Sequence, residues 1–164
     1  PKGQIHAYEI DPGRIDMINQ TLGRLGLRNV QLYPGDALKQ QLPAADKILI
    51  DVPCTGTGVM GRRADLRWKR KPEHLEELGS LQQQLLEHAV SALAHSALLI
   101  YATCSIEPEE NWDAVGAFLQ RHPEVTVAPL PDHLPAHWID ADGALSTFPP
   151  SHQVDGVFAV RLSQ

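Results

Sequence analysis

The sequence predicts an α/β fold built on a mostly parallel sheet covered on both faces. Short apolar strands alternate along the chain with segments of helical periodicity. Several of those strands end in an acid or run into a thiol, so polar residues gather at the carboxyl ends, where sheets of this kind bind ligands. The 164 residues are 43% hydrophobic, enough for one core and one domain over residues 1–164.

Each element has a local reason. Gln4 to Glu9 reads as a strand ending in an acid. Asp11 is placed to cap a helix with Pro12 in its first turn; Ile15, Ile18, Leu22 and Leu25 recur at helical spacing, and Gly26 is a stop. Asn29 to Tyr33 is a second strand, followed by Pro34-Gly35-Asp36. Lys47 to Asp51 is a buried-type strand, and residues 52–72 form a long loop. Pro72 to Leu93 is a helix with Leu75, Leu78, Leu81, Leu85, Ala89 and Leu93 along one side. Ala97 to Ala102 is an apolar strand running into Thr103-Cys104-Ser105. Pro108 to Arg121 is helical, with Trp112, Val115 and Leu119 on a shared face. Val125 to Ala128 is a strand, residues 129–153 read as loop, and Val157 to Leu162 closes the chain.

Composition narrows the function. No run of 18 apolar residues spans a membrane, and Pro1-Lys2-Gly3-Gln4 has no apolar run behind it of the kind a signal peptide needs. The net charge is −6, but residues 62–71 hold six basic residues against the single acid Asp65, a local +5 that leaves −11 for the rest. Arg62, Arg63, Arg67, Lys69 and Arg70, with Trp68 among them, suit phosphates and a stacked base; a merely solvated face is the alternative. The two cysteines form no CxxC pair and the eight histidines show no ligand spacing, so no metal site is expected. Free thiols in a reducing cytoplasm are the default reading.

Four strand-end positions are candidates for chemistry. Glu9 can accept from a ribose diol, or act as a helix-entry acid beside Asp11. Asp36 can accept from an adenine amino group, or serve as a turn residue. Asp51-Val-Pro-Cys-Thr-Gly-Thr-Gly58 is the most specific stretch: an acid and then a thiol enter a Gly-rich loop whose glycines allow close approach to a ligand. Cys104 follows its strand directly, where backbone amides and cations can favour the thiolate; a core cysteine at a strand end is the alternative.

These stretches, Asp51 to Met60, Arg63 to Trp68 and Tyr101 to Asn111, resemble the RNA cytosine-C5 methyltransferases, within them the bacterial Sun/Fmu (RsmB) type that modifies 16S ribosomal RNA. The similarity runs from about Gln4 to Leu162. It implies a Rossmann-like class I methyltransferase fold, S-adenosylmethionine as cofactor, and RNA as partner, 16S rRNA with tRNA as the alternative. By position it implies that Glu9 binds the cofactor's ribose hydroxyls, Asp36 lies near its adenine, and Asp51 lies near its methionine end and the target base. It implies Cys104 as the nucleophile and Cys54 as the second cysteine that resolves the covalent adduct. DNA cytosine methyltransferases carry their nucleophile in a Pro-Cys motif, which would point to Cys54; the Thr-Cys-Ser segment and its Pro-Glu-Glu-Asn tail favour Cys104. Asp155-Gly156-Val157-Phe158 resembles the family's Asp-Gly-Phe-Phe, with Val157 as a departure.

Two further departures set expectations. The family's first strand and Gly-rich cofactor loop have no counterpart between Pro1 and Glu9, so the fold is expected to be truncated at its N-terminus and the isolated chain to bind the cofactor weakly or not at all. Ala94-His95-Ser96-Ala97 stands where the family has a Gly-rich turn, and a changed turn is expected there. A non-catalytic RNA-binding or ribosome-assembly module is the second reading; a thiol hydrolase lacks a histidine placed by motif.

Overall fold

The computed structural model describes residues 3–164; the reading of Pro1 and Lys2 falls outside the described residues. The chain forms two compact units, Pro1–Pro43 and Ala44–Gln164.

In the first unit, β1 (Ile5–Glu9), α1 (Pro12–Leu25) and β2 (Val30–Pro34) make one right-sized crossover. The two strands pair in parallel from Ile5↔Val30 to Glu9↔Pro34. Asp11 accepts from the Gly13 amide at 2.8 Å, meeting one of the orphan donors of the helix start. Gly26, at φ 65°, ends the helix by returning its amide to the Gly23 and Leu22 carbonyls. The rings of Tyr8 and Tyr33, opposite one another in the ladder, stack with centroids 4.9 Å apart.

The second unit contains β3 (Ala45–Asp51), α2 (Leu66–Lys69), α3 (Glu73–Val90), β4 (Leu93–Thr103), α4 (Trp112–Arg121), β5 (Thr126–Val127), β6 (Leu145–Thr147), α5 (Pro149–His152) and β7 (Val157–Ser163). The sheet order is β3-β4-β7-β5, with β6 also on β7. β3 and β4, joined through α3, run parallel; β7 runs antiparallel to β4, β5 and β6. Burial alternates along β4 and β7, and the buried positions are register partners: Leu99 with Leu162, Tyr101 with Val160, Thr103 with Phe158. Leu86 and Ala89 of α3 and Val115 and Phe118 of α4 complete this core.

Several sequence expectations shift. β3 is not buried throughout: Leu49 is 66% exposed, because β3 ends the sheet path and only one side of its pleat faces the core. The buried line of α3 runs through Gln82, Leu86 and Ala89, one residue round from Leu81 and Leu85, and the helix stops at Val90 rather than Leu93. β4 starts at Leu93, four residues early, because Ser96 at φ 62° makes a bulge between the Ala45↔Leu93 and Lys47↔Leu98 pairs. The segment Pro108–Arg121 is broken at Asn111 (φ −110°, ψ −108°), whose side chain is tied to Thr103 and to the Ser105 carbonyl. Within the stretch read as loop, residues 129–153 hold β6 and α5, both too short for a periodicity to register.

The α3–α4 pair is latched at one end. His122, just past α4, places Nε2 at 2.6 Å from Glu87 of α3 and Nδ1 at 2.9 Å from Glu124. The hydrogen bonds to Glu124 and Glu87 hold its pKa above the ordinary imidazole value. The stability this adds is therefore complete below the unfolded-state value of about 6.5 and is lost as pH rises through the higher folded value. Thermal midpoints measured across that window should fall with rising pH, and His122→Ala should flatten the fall.

Candidate active site

The site is built where β3 and β4 end together. The pair Asp51↔Ala102 closes their ladder, and the Val52 amide extends it by one bond of 3.0 Å to the Ala102 carbonyl. Pro53 then offers no donor and the chain turns away. The result brings Cys54 and Cys104, 50 residues apart in sequence, to an Sγ–Sγ separation of 3.3 Å; both are free and half-buried.

Glycine is required by space in the loop that follows. Gly56 adopts φ 73°, and a Cβ on it would stand 3.1 Å from Leu66 Cδ1 and 4.0 Å from Cys104 Sγ. A Cβ on Gly58 would fall 2.3 Å from the backbone oxygen of Gly156. The loop is stitched on both sides there: the Gly58 amide donates to the Cys104 carbonyl at 3.1 Å, and the Gly156 amide donates to the Gly58 carbonyl at 2.8 Å. Arg62 adds an ion pair of 3.2 Å with Asp155.

Beneath the thiols lies a buried polar network. Glu110 is fully buried, and its carboxylate accepts from the Thr55 amide (2.9 Å), Thr55 Oγ1 (2.5 Å) and Gln82 Nε2 (3.1 Å). Gln82 also donates to the Pro53 carbonyl at 3.0 Å. Ser105 Oγ lies 3.1 Å from Thr57 Oγ1 and 3.3 Å from Thr55 Oγ1. Thr103 Oγ1 donates to Asn111 Oδ1 at 2.7 Å, and Asn111 Nδ2 returns to the Ser105 carbonyl at 3.0 Å. Both flanks of Cys104 are thereby immobilised.

The two thiols differ in acidity because they share a hydrogen bond. Cys54 donating to Cys104 holds the Cys104 pKa down to about 7, against the opposing effects of burial and of the Asp51 charge. The same hydrogen bond, with burial, pushes Cys54 far above the usual thiol value. The pair loses its first proton near neutrality, and the shared hydrogen bond favours the resulting negative charge on Cys104.

Asp51, the last residue of β3, is exposed, and its carboxylate has no hydrogen-bond or ion-pair partner among the described residues. In the first unit, Glu9 accepts from the Asp11 amide at 2.9 Å and faces Arg14 at 3.7 Å. Asp36 caps the turn Ala37–Lys39 through the Leu38 amide at 3.1 Å. Both carboxylates do local work at helix entries and keep acceptor capacity, the chemistry that a nucleoside's hydroxyl and amino groups call for. Trp68 stands 90% exposed on α2 beside exposed Arg67. Lys69 and Arg63 share Asp65, at 2.9 and 3.9 Å. Arg70 turns inward instead: its Nε donates to the Thr55 carbonyl at 2.5 Å and its Nη2 to the Cys54 carbonyl at 3.2 Å. Among the described residues no His, Cys, Asp and Glu cluster is arranged to hold a metal ion, and no helix is long and apolar enough to cross a membrane.

Sequence reasoning missed Gln82, Glu110, Thr55, Ser105 and Asn111 as site residues. One signal was available: Gln82 is a polar residue inside the apolar stripe of α3, between Leu78 and Leu86. A buried amide in such a stripe needs partners, and here they are the loop and Glu110.

Comparison with known proteins agrees over nearly the whole chain. Residues 1–163 match the family described as 16S rRNA methyltransferase RsmB/F. Ribosomal RNA small subunit methyltransferase B of Yersinia pestis is 40% identical over 154 residues, covering 87% of this chain; the chain spans 35% of the length of that relative. The crystal structure of PH0851 superposes with a TM-score of 0.91 at 32% identity, over 99% of this chain and 37% of that one. NSun6 from Pyrococcus horikoshii, solved with SFG, gives 0.85 at 28% identity, over 99% of this chain and 41% of that one. The fold is the Rossmann-like fold of the S-adenosylmethionine-dependent methyltransferases.

Two outcomes follow from the geometry. Gly58→Ala drives a methyl group into the Gly156 backbone, which has no rotamer to yield, and should cost about 1–3 kcal/mol in a denaturant melt, as overpacking does. Cys54→Ala removes the donor to Cys104, so the pH midpoint of Cys104 alkylation by iodoacetamide should climb from near 7 toward the ordinary thiol value of about 8.5.

Proposed function

The chain belongs to the 16S rRNA methyltransferase RsmB/F family, and from that membership we propose that it serves the transfer of a methyl group from S-adenosylmethionine to C5 of a cytosine in 16S rRNA. The observation that carries this reading is the 3.3 Å pair of thiols with one proton between them. C5 of cytosine is a weak nucleophile, and a thiolate bonded at C6 makes it electron-rich. A cysteine with a pKa of about 7 is substantially thiolate at neutral pH, and Cys104 is that cysteine.

When bound, S-adenosylmethionine supplies an electrophilic methyl group. Glu9 and Asp36 are the acceptors assigned to its ribose hydroxyls and adenine, and Asp51 the acid near its methionine end. Cys104 Sγ adds to C6, and Asp51 accepts from the edge of the cytosine and holds the adduct in place. Once C5 bears the methyl group, the donor sulfonium having left as a neutral thioether, C5 must lose its proton so that the C5=C6 bond re-forms and Sγ is expelled from C6 as thiolate.

The geometry suggests why the second thiol acts late. While Cys104 is a thiolate, its negative charge and its hydrogen bond hold the proton on Cys54. Once Cys104 Sγ is bonded to carbon, that charge is gone, and the largest cause of the high Cys54 pKa goes with it. Cys54 can then give its proton to solvent water and, as the thiolate, take the one from C5 as general base. One hydrogen bond thus orders two roles in time.

RNA meets the exposed side of α2. Arg67, Lys69, Arg62 and Arg63 suit phosphates, and Trp68 suits a stacked base. The target cytosine has to be splayed out or already unpaired to reach the thiols.

The test uses the natural full-length protein, incubated with S-adenosylmethionine and 16S rRNA fragments and run on denaturing gels. Cys54→Ala should accumulate a covalent RNA adduct and Cys104→Ala should not. An adduct trapped only by Cys104→Ala would make Cys54 the nucleophile. No adduct in either variant, with no methyl transfer by the wild type, would favour a non-catalytic RNA-binding module.

A further inference from the structure

Five bonds converge on three consecutive residues of the Cys54 loop. Gln82 holds the Pro53 carbonyl, Arg70 holds the Cys54 and Thr55 carbonyls, and Glu110 holds the Thr55 amide and hydroxyl. Thr55 is buried, so each of its polar groups needs a partner, and each has one. The two charged anchors approach the same residue from opposite ends: the carboxylate at its N–H and hydroxyl, the guanidinium at its C=O.

We propose that Arg70 and Glu110 are positioning residues that clamp the Cys54–Thr55 backbone from two sides and so keep Cys54 Sγ within hydrogen-bonding reach of Cys104 Sγ. The assignment takes Arg70 out of the group of RNA-facing cations that its sequence neighbours form. It rests on the reading of Cys104 as nucleophile only for its catalytic meaning, since the bond that it protects is present without any substrate.

The physical case is one of leverage. Cys54 has no other restraint on its carbonyl among the described residues, and Pro53 contributes no amide to the loop. A planar guanidinium can hold two adjacent carbonyls at once; an ammonium holds them only as a point charge. Release of either anchor lets the peptide rotate, and a rotation that lengthens 3.3 Å by about 1 Å ends a hydrogen bond. Arg70 also sits at the end of the helix that carries Arg67, Trp68 and Lys69, so the surface assigned to RNA and the thiol loop are joined through one side chain.

The experiment reads thiol ionisation alone, in the natural full-length protein. Iodoacetamide labelling of Cys104 is followed by peptide mass spectrometry as a function of pH. Arg70→Ala should move the midpoint up by about one pH unit, which leaves about fivefold less thiolate at pH 7. The same substitution in a Cys54→Ala background should move it no further, because the bond that Arg70 protects is already gone. No shift in the first background overturns the proposal. An equal shift in both overturns it too, since Arg70 would then act on Cys104 by its own charge. Should Arg70→Ala fail to fold, Thr55→Val tests the Glu110 arm, with the same upward shift expected and its reversal by Thr55→Ser; a Thr55→Val midpoint equal to the wild type overturns the clamp. None of these readouts requires methyl transfer, so they stand or fall apart from the proposed reaction.

Discussion

Two parallel strands cannot be joined by a hairpin; the chain must leave one end of the sheet and re-enter at the other. Between β3 and β4 it does so through α3, and the site depends on that return. Both strands deliver their carboxyl ends to one edge, with Asp51 and Ala102 as ladder partners. Cys54 and Cys104 each lie within three residues of that locked pair, so strand pairing alone brings them near one another. The remaining few ångströms are set by side-chain bonds to the loop, in which Thr55, Glu110, Gln82 and Arg70 take part.

Glu110 shows how a carboxyl group is housed in a core by hydrogen bonds. Its oxygens receive an amide, a hydroxyl and a side-chain amide, all held by elements that are themselves packed. Such a group tolerates little movement, because each lost donor leaves a buried oxygen without a partner. Gln82 shares the cost: both of its donated bonds are committed, and its Oε1 is the buried side-chain atom left without a partner among the described residues. The benefit appears a few ångströms away, where two chemically identical thiols acquire different proton affinities from one oriented hydrogen bond.

The basic segment is sorted by the fold into different tasks. Charge counting treats residues 62–71 as one patch. In the structure Arg62 pairs with Asp155, Lys69 and Arg63 share Asp65, and Arg70 braces the thiol loop. Arg67 and Trp68 are left facing outward. The pairs with high solvent exposure contribute little to stability and can exchange a carboxylate for a phosphate; the inward guanidinium is not available in that way.

Local chemistry was enough to read β1, α1, β2 and β7 within a residue or two, because a cap, a Gly stop or an alternating run is written in neighbouring residues. It was enough to mark Asp51, Cys54 and Cys104 as strand-end groups for the same reason. It could not set the phase of α3, where Gln82 lies on the buried face with Leu86 and Ala89 in place of Leu81 and Leu85, since its burial depends on a carboxylate 28 residues away. Nor could it find β6, a strand of three residues that exists only because β7 is there to pair with it. The sequence by itself determined the alternation of elements and the residue types at the strand ends. The tertiary structure alone decided that two of those residues share a proton, that Arg70 faces in and that Glu110 is buried, because distance and desolvation are properties of the folded chain and leave no trace in the spacing of its residues.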